Sequence, residues 1–199
     1  VLPYFLRSED HHGGKTGLHG VGGEGKVSKQ RLKWDILLAV QEAAMEFGIL
    51  PRDDFNDGDN EGSGFFEVNQ QRGVRWSAAR GFLRPALKRS NLRLVTGALT
   101  ESLILEGRRI VGVRYRCGGN LIEARAESEV LLAAGSINSP KLLELSGIGR
   151  PDVLCELGID VVLESPDVGE NLQDHLQIRT VYRVTGAKTL NGPFNSLLG

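Results

Sequence analysis

The sequence predicts a mixed α/β fold in which an antiparallel β-meander leads into a buried strand, a tight turn and a helix. Between residues 99 and 126 the apolar positions alternate, and Glu106-Gly107 and Gly118-Gly119-Asn120 interrupt the alternation. This pattern is typical of short strands joined by tight turns. The segment Val130–Ala133 is continuously apolar, which indicates a strand buried on both faces.

Small residues follow the predicted buried strand. Ala134 and Gly135 carry little side-chain bulk, so another backbone or a ligand can approach closely. Ser139 and Pro140 predict the N-cap and the first position of a helix, and Gly147 is expected to end it in a left-handed conformation. A strand leading into a helix N-terminus is a common nucleotide site, although the same turn can simply pack a helix on a sheet.

The rest of the chain gives shorter patterns. Residues Trp34–Phe47 have apolar positions at helical spacing, and Gly48 follows as a C-terminal signal. Further patterns predict strands at 65–69, 92–96, 159–163 and 176–184, a turn at Arg72-Gly73, and helices beginning at Ser77 and Pro151.

The segment Ser8–Lys29 is rich in glycine and histidine, which predicts a long surface loop. Its histidines, His11, His12 and His19, are metal ligands in principle. However, histidines in a glycine-rich loop without ordered spacing are more often solvated, so no metal site is predicted. The acidic segment 53–64 is interpreted as a solvated loop, because Phe55 interrupts the spacing of oxygen ligands that a calcium loop needs.

Composition excludes several classes of function. The 24 basic and 25 acidic residues give a formal net charge of −1, so a nucleic-acid partner is not predicted. Cys117 and Cys155 are too few for a disulfide framework, which favours a reducing compartment and a cytoplasmic location. No apolar run reaches the length of about 20 residues that a transmembrane helix needs.

Several motifs occur in one order along the chain. They are Leu2-Pro3-Tyr4-Phe5, Gly73-Val74-Arg75 with Ser77-Ala78-Ala79-Arg80, Asn91-Leu92 with the following meander, 134–149 (AGSINSPKLLELSGIG) and 166–175 (PDVGENLQDH). Together they resemble the glucose-methanol-choline (GMC) family of FAD-dependent oxidoreductases, in particular its bacterial alcohol or choline dehydrogenase type. The stretch 134–149 resembles one of the two sequence signatures of that family.

The resemblance implies part of an FAD-binding Rossmann-like domain and part of a substrate-binding domain. The implied reaction transfers hydride from an alcohol to the flavin and gives an aldehyde or ketone. Residues 1–90 would contribute to both domains, 91–175 to the FAD domain, and 176–199 to the start of the substrate domain.

The resemblance also implies particular cofactor contacts. Ala134, Gly135 and Ser136 match the turn along the adenosine half of FAD. Thr100 lies where the family holds adenine through main-chain N–H and C=O groups, commonly at a valine. His175 is expected to order its loop through hydrogen bonds and not to act as the catalytic base.

The glycine-rich phosphate loop and the catalytic histidine of the family are expected outside this chain, as in an internal fragment. Gly20-Val21-Gly22-Gly23 is interpreted as a loop without a preceding strand, so no catalytic residue is assigned. The isolated chain is predicted to bind FAD weakly and to be inactive. Two alternatives remain at this point: a non-catalytic remnant or binding module, and a nicotinamide-dependent dehydrogenase. The substrate, the electron acceptor and the choice between dehydrogenase and oxidase stay open.

Overall fold

The computed structural model describes residues 1–186, and the chain forms two compact units. One unit contains Val1–Arg93 and the described residues from Thr180 onward, and the other contains Leu94–Arg179. The predicted assignment of 1–90, 91–175 and 176–199 to cofactor and substrate domains stays a prediction, because compactness alone assigns no ligand to a unit. Residues 187–199 of the last segment lie outside the described residues.

The three strands predicted between residues 99 and 126 form a meander in the unit Leu94–Arg179, without the strand predicted at 92–96. Its strands are β5 (Ala98–Glu106), β6 (Arg109–Cys117) and β7 (Asn120–Arg125), which pair antiparallel in the order β5-β6-β7. Both connections turn at glycines with positive φ, 60° at Gly107 and 57° at Gly118. Only glycine adopts this conformation without a steric cost, so the chain reverses within two residues at each connection.

The apolar core of this unit lies between the meander and the helices that follow it. Helix α4 (Gly135–Glu144) packs on β5, and helix α5 (Pro151–Glu156) follows the two-residue strand β8 (Ile148–Gly149). Strand β8 pairs in parallel with β9 (Leu163–Glu164). The buried apolar side chains come from all of these elements except β9, and they are Leu103, Ile104, Leu142, Ile148 and Leu154.

The prediction of a buried strand at Val130–Ala133 is wrong for this structure. The segment has no strand conformation, and Leu131 is 81% exposed. A strand is defined by hydrogen bonds to a neighbour, and no other strand pairs with this segment within residues 1–186. The predicted strand 92–96 is absent from the described residues for the same reason. Of the predicted strand 159–163, only Leu163 is in a strand, as the first residue of β9.

Helix α4 begins earlier than predicted. It starts at Gly135, whose φ is +87°, so Pro140 lies inside the helix and not at its first position. Ser139 is not the N-cap, because Ala134 takes that position and Ser139 lies inside the helix. The Oγ atom of Ser139 accepts a hydrogen bond from the backbone N–H of Ala134 at 3.1 Å. The predicted C-terminal signal is confirmed, because Gly147 has a φ of +80°.

The prediction of a long surface loop over Ser8–Lys29 is also wrong. After helix α1 (Leu2–Ser8), strand β1 (Glu9–His11) pairs in parallel with β2 (Gly25–Val27). The glycines allow this packing, since a Cβ atom at Gly20 would contact the main chain of Leu6. The run 20–23 therefore does follow a strand. It leads into another strand, however, and not into the helix that a phosphate loop requires.

The remaining elements of the first unit position its loops. Helix α2 (Asp35–Glu46) forms as predicted. Strands β3 (Gln70–Gln71) and β4 (Val74–Arg75) make a hairpin at the predicted turn, with φ +52° at Arg72 and +80° at Gly73. The predicted strand at 65–69 is reduced to a single bridge between Val68 and Ser28.

Helical turns follow the hairpin at Ala79–Leu83, which is a π-helix, and at α3 (Arg84–Ala86). Ser77 accepts hydrogen bonds from the backbone N–H of Arg80 through its carbonyl oxygen (2.9 Å) and its Oγ (3.4 Å). The predicted strand at 176–184 is not formed. No helix among residues 1–186 combines the length and hydrophobicity needed to cross a membrane.

Candidate functional site

The predicted cofactor contacts at 134–136 lie at the N-terminus of α4. Ala134, Gly135 and Ser136 are all exposed. The space beside Gly135 is open, since a Cβ atom built there would have no heavy atom within 4 Å. The main chain at this helix start is therefore accessible to a ligand, and the residues fit the predicted contact with the adenosine half of FAD.

The electrostatics of the helix start suit a ligand with acceptor atoms. The first N–H groups of a helix have no intrahelical acceptor, and the helix dipole is positive at this end. The Ser139 Oγ atom takes up only the N–H of Ala134. A polar group of a ligand can therefore approach the N–H groups of Gly135 and Ser136 in this turn.

A groove of about 550 Å³ runs beside this helix start. Its walls come from α4, including Ser136 and Ile137, and from the loop after β9, including Val168 and Leu172. Ile137 and Leu172 are 68% and 66% exposed. The groove therefore combines apolar walls with the polar helix terminus.

Arg150 holds the loop that forms the second wall. Its guanidinium donates to Oε1 of Glu170 at 2.8 Å and to Oδ2 of Asp152 at 2.5 Å. The hydrogen bond from Arg150 is the main reason that the pKa of Asp152 is lowered below its usual value. The contact with Glu170 thus attaches the loop to the start of α5, while the contact with Asp152 holds the Arg150 side chain within that helix start.

His175 follows this loop, after Asn171, whose φ is +53°. The backbone N–H of His175 donates to Oδ1 of Asp174 at 2.8 Å. This bond belongs to the main chain, so the expected ordering role of the His175 imidazole stays a prediction.

Thr100, the predicted adenine contact, is an exposed residue of β5 and pairs with Tyr115 of β6. The register shifts between Thr100 and Ser102, as at a β-bulge, and β5 is an edge strand of the meander. Helix α4 and β5 are joined by a hydrogen bond from the Leu103 N–H to Ser146 Oγ at 2.8 Å. That link lies at the end of α4 opposite Ala134–Ser136. Thr100 and Ala134–Ser136 are thus on two elements that pack together, but the structure does not show these residues next to each other.

A cluster of three histidines and three carboxylates occupies the first unit, and the sequence analysis missed it. His19 donates from Nε2 to Asp54 at 2.8 Å and from Nδ1 to Glu9 at 3.1 Å. Its ring stacks on that of His11 with centroids 3.9 Å apart. His11 and His12 both contact Glu67, at 2.8 Å and 2.6 Å.

Burial and carboxylates act in opposite directions on His19. Burial lowers the pKa of His19, but its hydrogen bonds to Glu9 and Asp54 raise it, and the net pKa lies above the usual value. For Asp54, burial raises the pKa, while the Asn56 N–H and His19 lower it, and the net pKa lies below the usual value. His19 and Asp54 therefore form a partly buried hydrogen-bonded pair that favours the charged form of each group, and Asp54 is not part of a solvated loop. No local spacing reveals it, because His19 and Asp54 are 35 residues apart.

A sequence model described as GMC oxidoreductase matches residues 3–177. The chain belongs to the GMC oxidoreductase family. An oxygen-dependent choline dehydrogenase of Brucella anthropi is 44% identical over 195 residues, which are 98% of this chain and 35% of that protein. The chain thus spans about a third of the length of the curated relatives that it matches.

Solved structures agree with the family. A pyridoxine 4-oxidase from Mesorbium loti has a TM-score of 0.80 and 34% identity, over 87% of this chain and 34% of that one. An FAD-dependent oxidoreductase from Chaetomium thermophilum has a TM-score of 0.81 and 29% identity, over 87% of this chain and 32% of that one. These findings confirm the predicted family of enzymes, the mixed α/β fold class and FAD as the cofactor of the family.

Proposed function

We propose that the full-length protein oxidises the CH–OH group of a small-molecule alcohol to an aldehyde or ketone. The observation that carries the proposal is the match of residues 3–177 to the GMC oxidoreductases. The relatives named oxygen-dependent choline dehydrogenase make choline the first substrate to test. FAD, when bound, accepts the hydride from the alcohol carbon.

The contribution of this chain is to hold the adenosine half of FAD. The main chain at Ala134, Gly135 and Ser136 provides a close approach and the positive end of the α4 dipole. Thr100 provides main-chain groups for adenine on the edge strand β5. Such pairing tolerates a change of side chain, so threonine can take a position that is commonly valine.

Residues 91–175 then belong to the FAD domain, and the chain after 175 begins the substrate domain. A cytoplasmic location is supported by the free cysteines Cys117 and Cys155, which fit a reducing compartment.

The deciding experiment is a visible spectrum of the purified full-length protein, followed by an alcohol screen with an artificial electron acceptor and with oxygen. We expect a flavin absorbance that bleaches when choline or another alcohol is added without an acceptor. A protein without flavin, or one that oxidises alcohols only with a nicotinamide cofactor, would contradict the proposal. Flavin that no alcohol reduces would favour a binding module.

The proposed cofactor contact is tested by Gly135→Ala, with Gly158→Ala as a matched control. Both glycines have positive φ, +87° and +70°, and both have open space where the new Cβ would lie. The backbone strain is therefore similar, but only Gly135 is at the proposed contact. We expect Gly135→Ala to lower the FAD content of the purified protein more than Gly158→Ala does. Thr100→Val should leave it unchanged, and an equal loss in both glycine variants would argue against the contact.

A further inference from the structure

Glu67 is the point at which two neighbouring histidines converge. The Nε2 atom of His11 lies 2.8 Å from Oε2 of Glu67, and the Nε2 atom of His12 lies 2.6 Å from Oε1. The side chains of His11 and Glu67 are only 7% and 9% exposed. Within residues 1–186, the ion-pair contacts of Glu67 are those with the two histidines. A largely buried carboxylate is thus held between two imidazoles.

We propose that His11, His12 and Glu67 bind a divalent transition-metal ion of the Zn²⁺ type. Imidazole nitrogen and carboxylate oxygen are preferred ligands of Zn²⁺, and two histidines with one glutamate leave a further position for water. The donor atoms of the three residues lie within 4.8 Å of one another. With bonds of about 2.0–2.2 Å, a tetrahedral ion holds its ligand atoms about 3.3 Å apart. The imidazoles need to move only slightly away from Glu67 to admit the ion.

His11 and His12 line a cavity of about 390 Å³, whereas Glu67 lines a separate, smaller one. His12 is the more accessible ligand, with 33% of its side chain exposed. Four cationic side chains also line the cavity, namely Lys26, Lys29, Arg31 and Arg72. Lys26 pairs with Asp10 at 2.5 Å, and Lys29 pairs with Asp53 at 3.5 Å. Carboxylates thus pair with two of the four cations, and the cavity reaches both histidine ligands.

The hydrogen bonds around His11 show what metal binding must change. The backbone N–H of Gly13 points at Nδ1 of His11 over a long 3.2 Å, so the ring proton is on Nε2 when it donates to Glu67. Binding a metal through Nε2 moves that proton to Nδ1, and the Gly13 N–H must then turn away. Gly14 follows directly, with a φ of +92° and open space around it. The segment Gly13-Gly14 thus consists of glycine, the residue type that changes its backbone conformation most easily.

His19 is not a ligand in this proposal, although it stacks on His11. Both of its ring nitrogens already contact carboxylates, Glu9 and Asp54. The alternative grouping of His11, His19 and Asp54 would have to break that ion pair. The bound ion instead links β1 to Glu67, which is 56 residues further along the chain, and so fastens two distant segments of one unit.

The test uses full-length protein with any affinity tag removed and with metals stripped by a chelator. Zn²⁺ is titrated by calorimetry into the wild type and into His12→Gln, His19→Gln and His175→Gln. We expect the wild type to bind one equivalent of Zn²⁺. His12→Gln should bind none, or bind it at least about tenfold more weakly. His175 is exposed, and His175→Gln is the control for the general loss of a histidine. Neither His175→Gln nor His19→Gln should change Zn²⁺ binding.

Two further measurements distinguish loss of the metal site from loss of the fold. Melting temperatures without zinc establish that His12→Gln is folded, and X-ray absorption of the wild type identifies the ligands. Imidazole with oxygen ligands supports the site, whereas sulfur ligands overturn it. The proposal also fails if His12→Gln binds like the wild type, if wild type binds no equivalent, or if His19→Gln alone loses binding. Each readout is independent of flavin and of alcohol oxidation.

Discussion

The two units of the chain bury different kinds of side chain. In Leu94–Arg179 the buried residues include Leu103, Ile104 and Leu142 on neighbouring elements. In the described part of the other unit, the buried side chains larger than glycine are His11 and His19. The unit Leu94–Arg179 depends on the hydrophobic effect between packed elements. The unit that contains Val1–Arg93 depends on hydrogen-bonded charges, which stabilise a buried site only while every partner is present.

The largest loss of stability is expected at Gly147, which is tightly packed in the unit Leu94–Arg179. In Gly147→Ala, the new Cβ atom would contact the Asp160 carbonyl oxygen and lie 2.7 Å from Val162 Cγ2, at a φ of +80°. Strain and overlap together should lower the free energy of unfolding by about 3 kcal/mol. The control is Gly118→Ala, which has a φ of +57° but no neighbour within 4 Å and should cost about 1 kcal/mol. Urea or thermal unfolding of both variants measures the difference, and equal losses would show that packing at Gly147 is looser than described.

The next effect tests the histidine cluster through pH. His19→Gln removes an imidazolium between Glu9 and Asp54, and should cost about 2 kcal/mol near pH 5.5. Because the pKa of His19 is raised on folding, its contribution is complete below the unfolded pKa of about 6.5. It is lost as the pH rises through the higher folded pKa. The melting temperatures of variant and wild type should therefore converge at alkaline pH, and a difference that is independent of pH would contradict a charged His19.

The same contrast explains which features the sequence could predict. The meander, the Arg72-Gly73 turn and the end of α4 at Gly147 follow from local patterns of apolar residues and glycines, and these predictions are correct. The strand at 130–133 depends on a neighbour to pair with, which alternation along one segment cannot supply. The histidine cluster depends on contacts across 35 to 56 residues. Glycine-rich segments are typical of loops, so the tight backbone packing at Gly20 gave no signal.

A smaller loss is expected at the link between α4 and the meander. Ser146 Oγ accepts from the Leu103 N–H at 2.8 Å and donates to the Leu142 carbonyl at 2.6 Å in a buried position. Ser146→Ala leaves the Leu103 N–H without this acceptor, and should lower the free energy of unfolding by about 1–2 kcal/mol. Ser128 is exposed, so Ser128→Ala should stay within about 0.5 kcal/mol of the wild type. If both serine variants unfold alike, the link contributes nothing specific.

The smallest effect is expected at an exposed ion pair, which tests whether distance or burial sets the strength of a charged contact. Arg125 Nη1 lies 2.6 Å from Glu106 Oε1, the same separation as between His12 and Glu67. However, the Arg125 and Glu106 side chains are 59% and 62% exposed, whereas Glu67 is 9% exposed. Water and salt screen the exposed pair, so Arg125→Gln should cost less than about 0.5 kcal/mol. A double-mutant cycle with Glu106→Gln measures the coupling directly. A coupling above about 1 kcal/mol that persists in high salt would mean that geometry, and not burial, sets the strength of the charged contacts in both units.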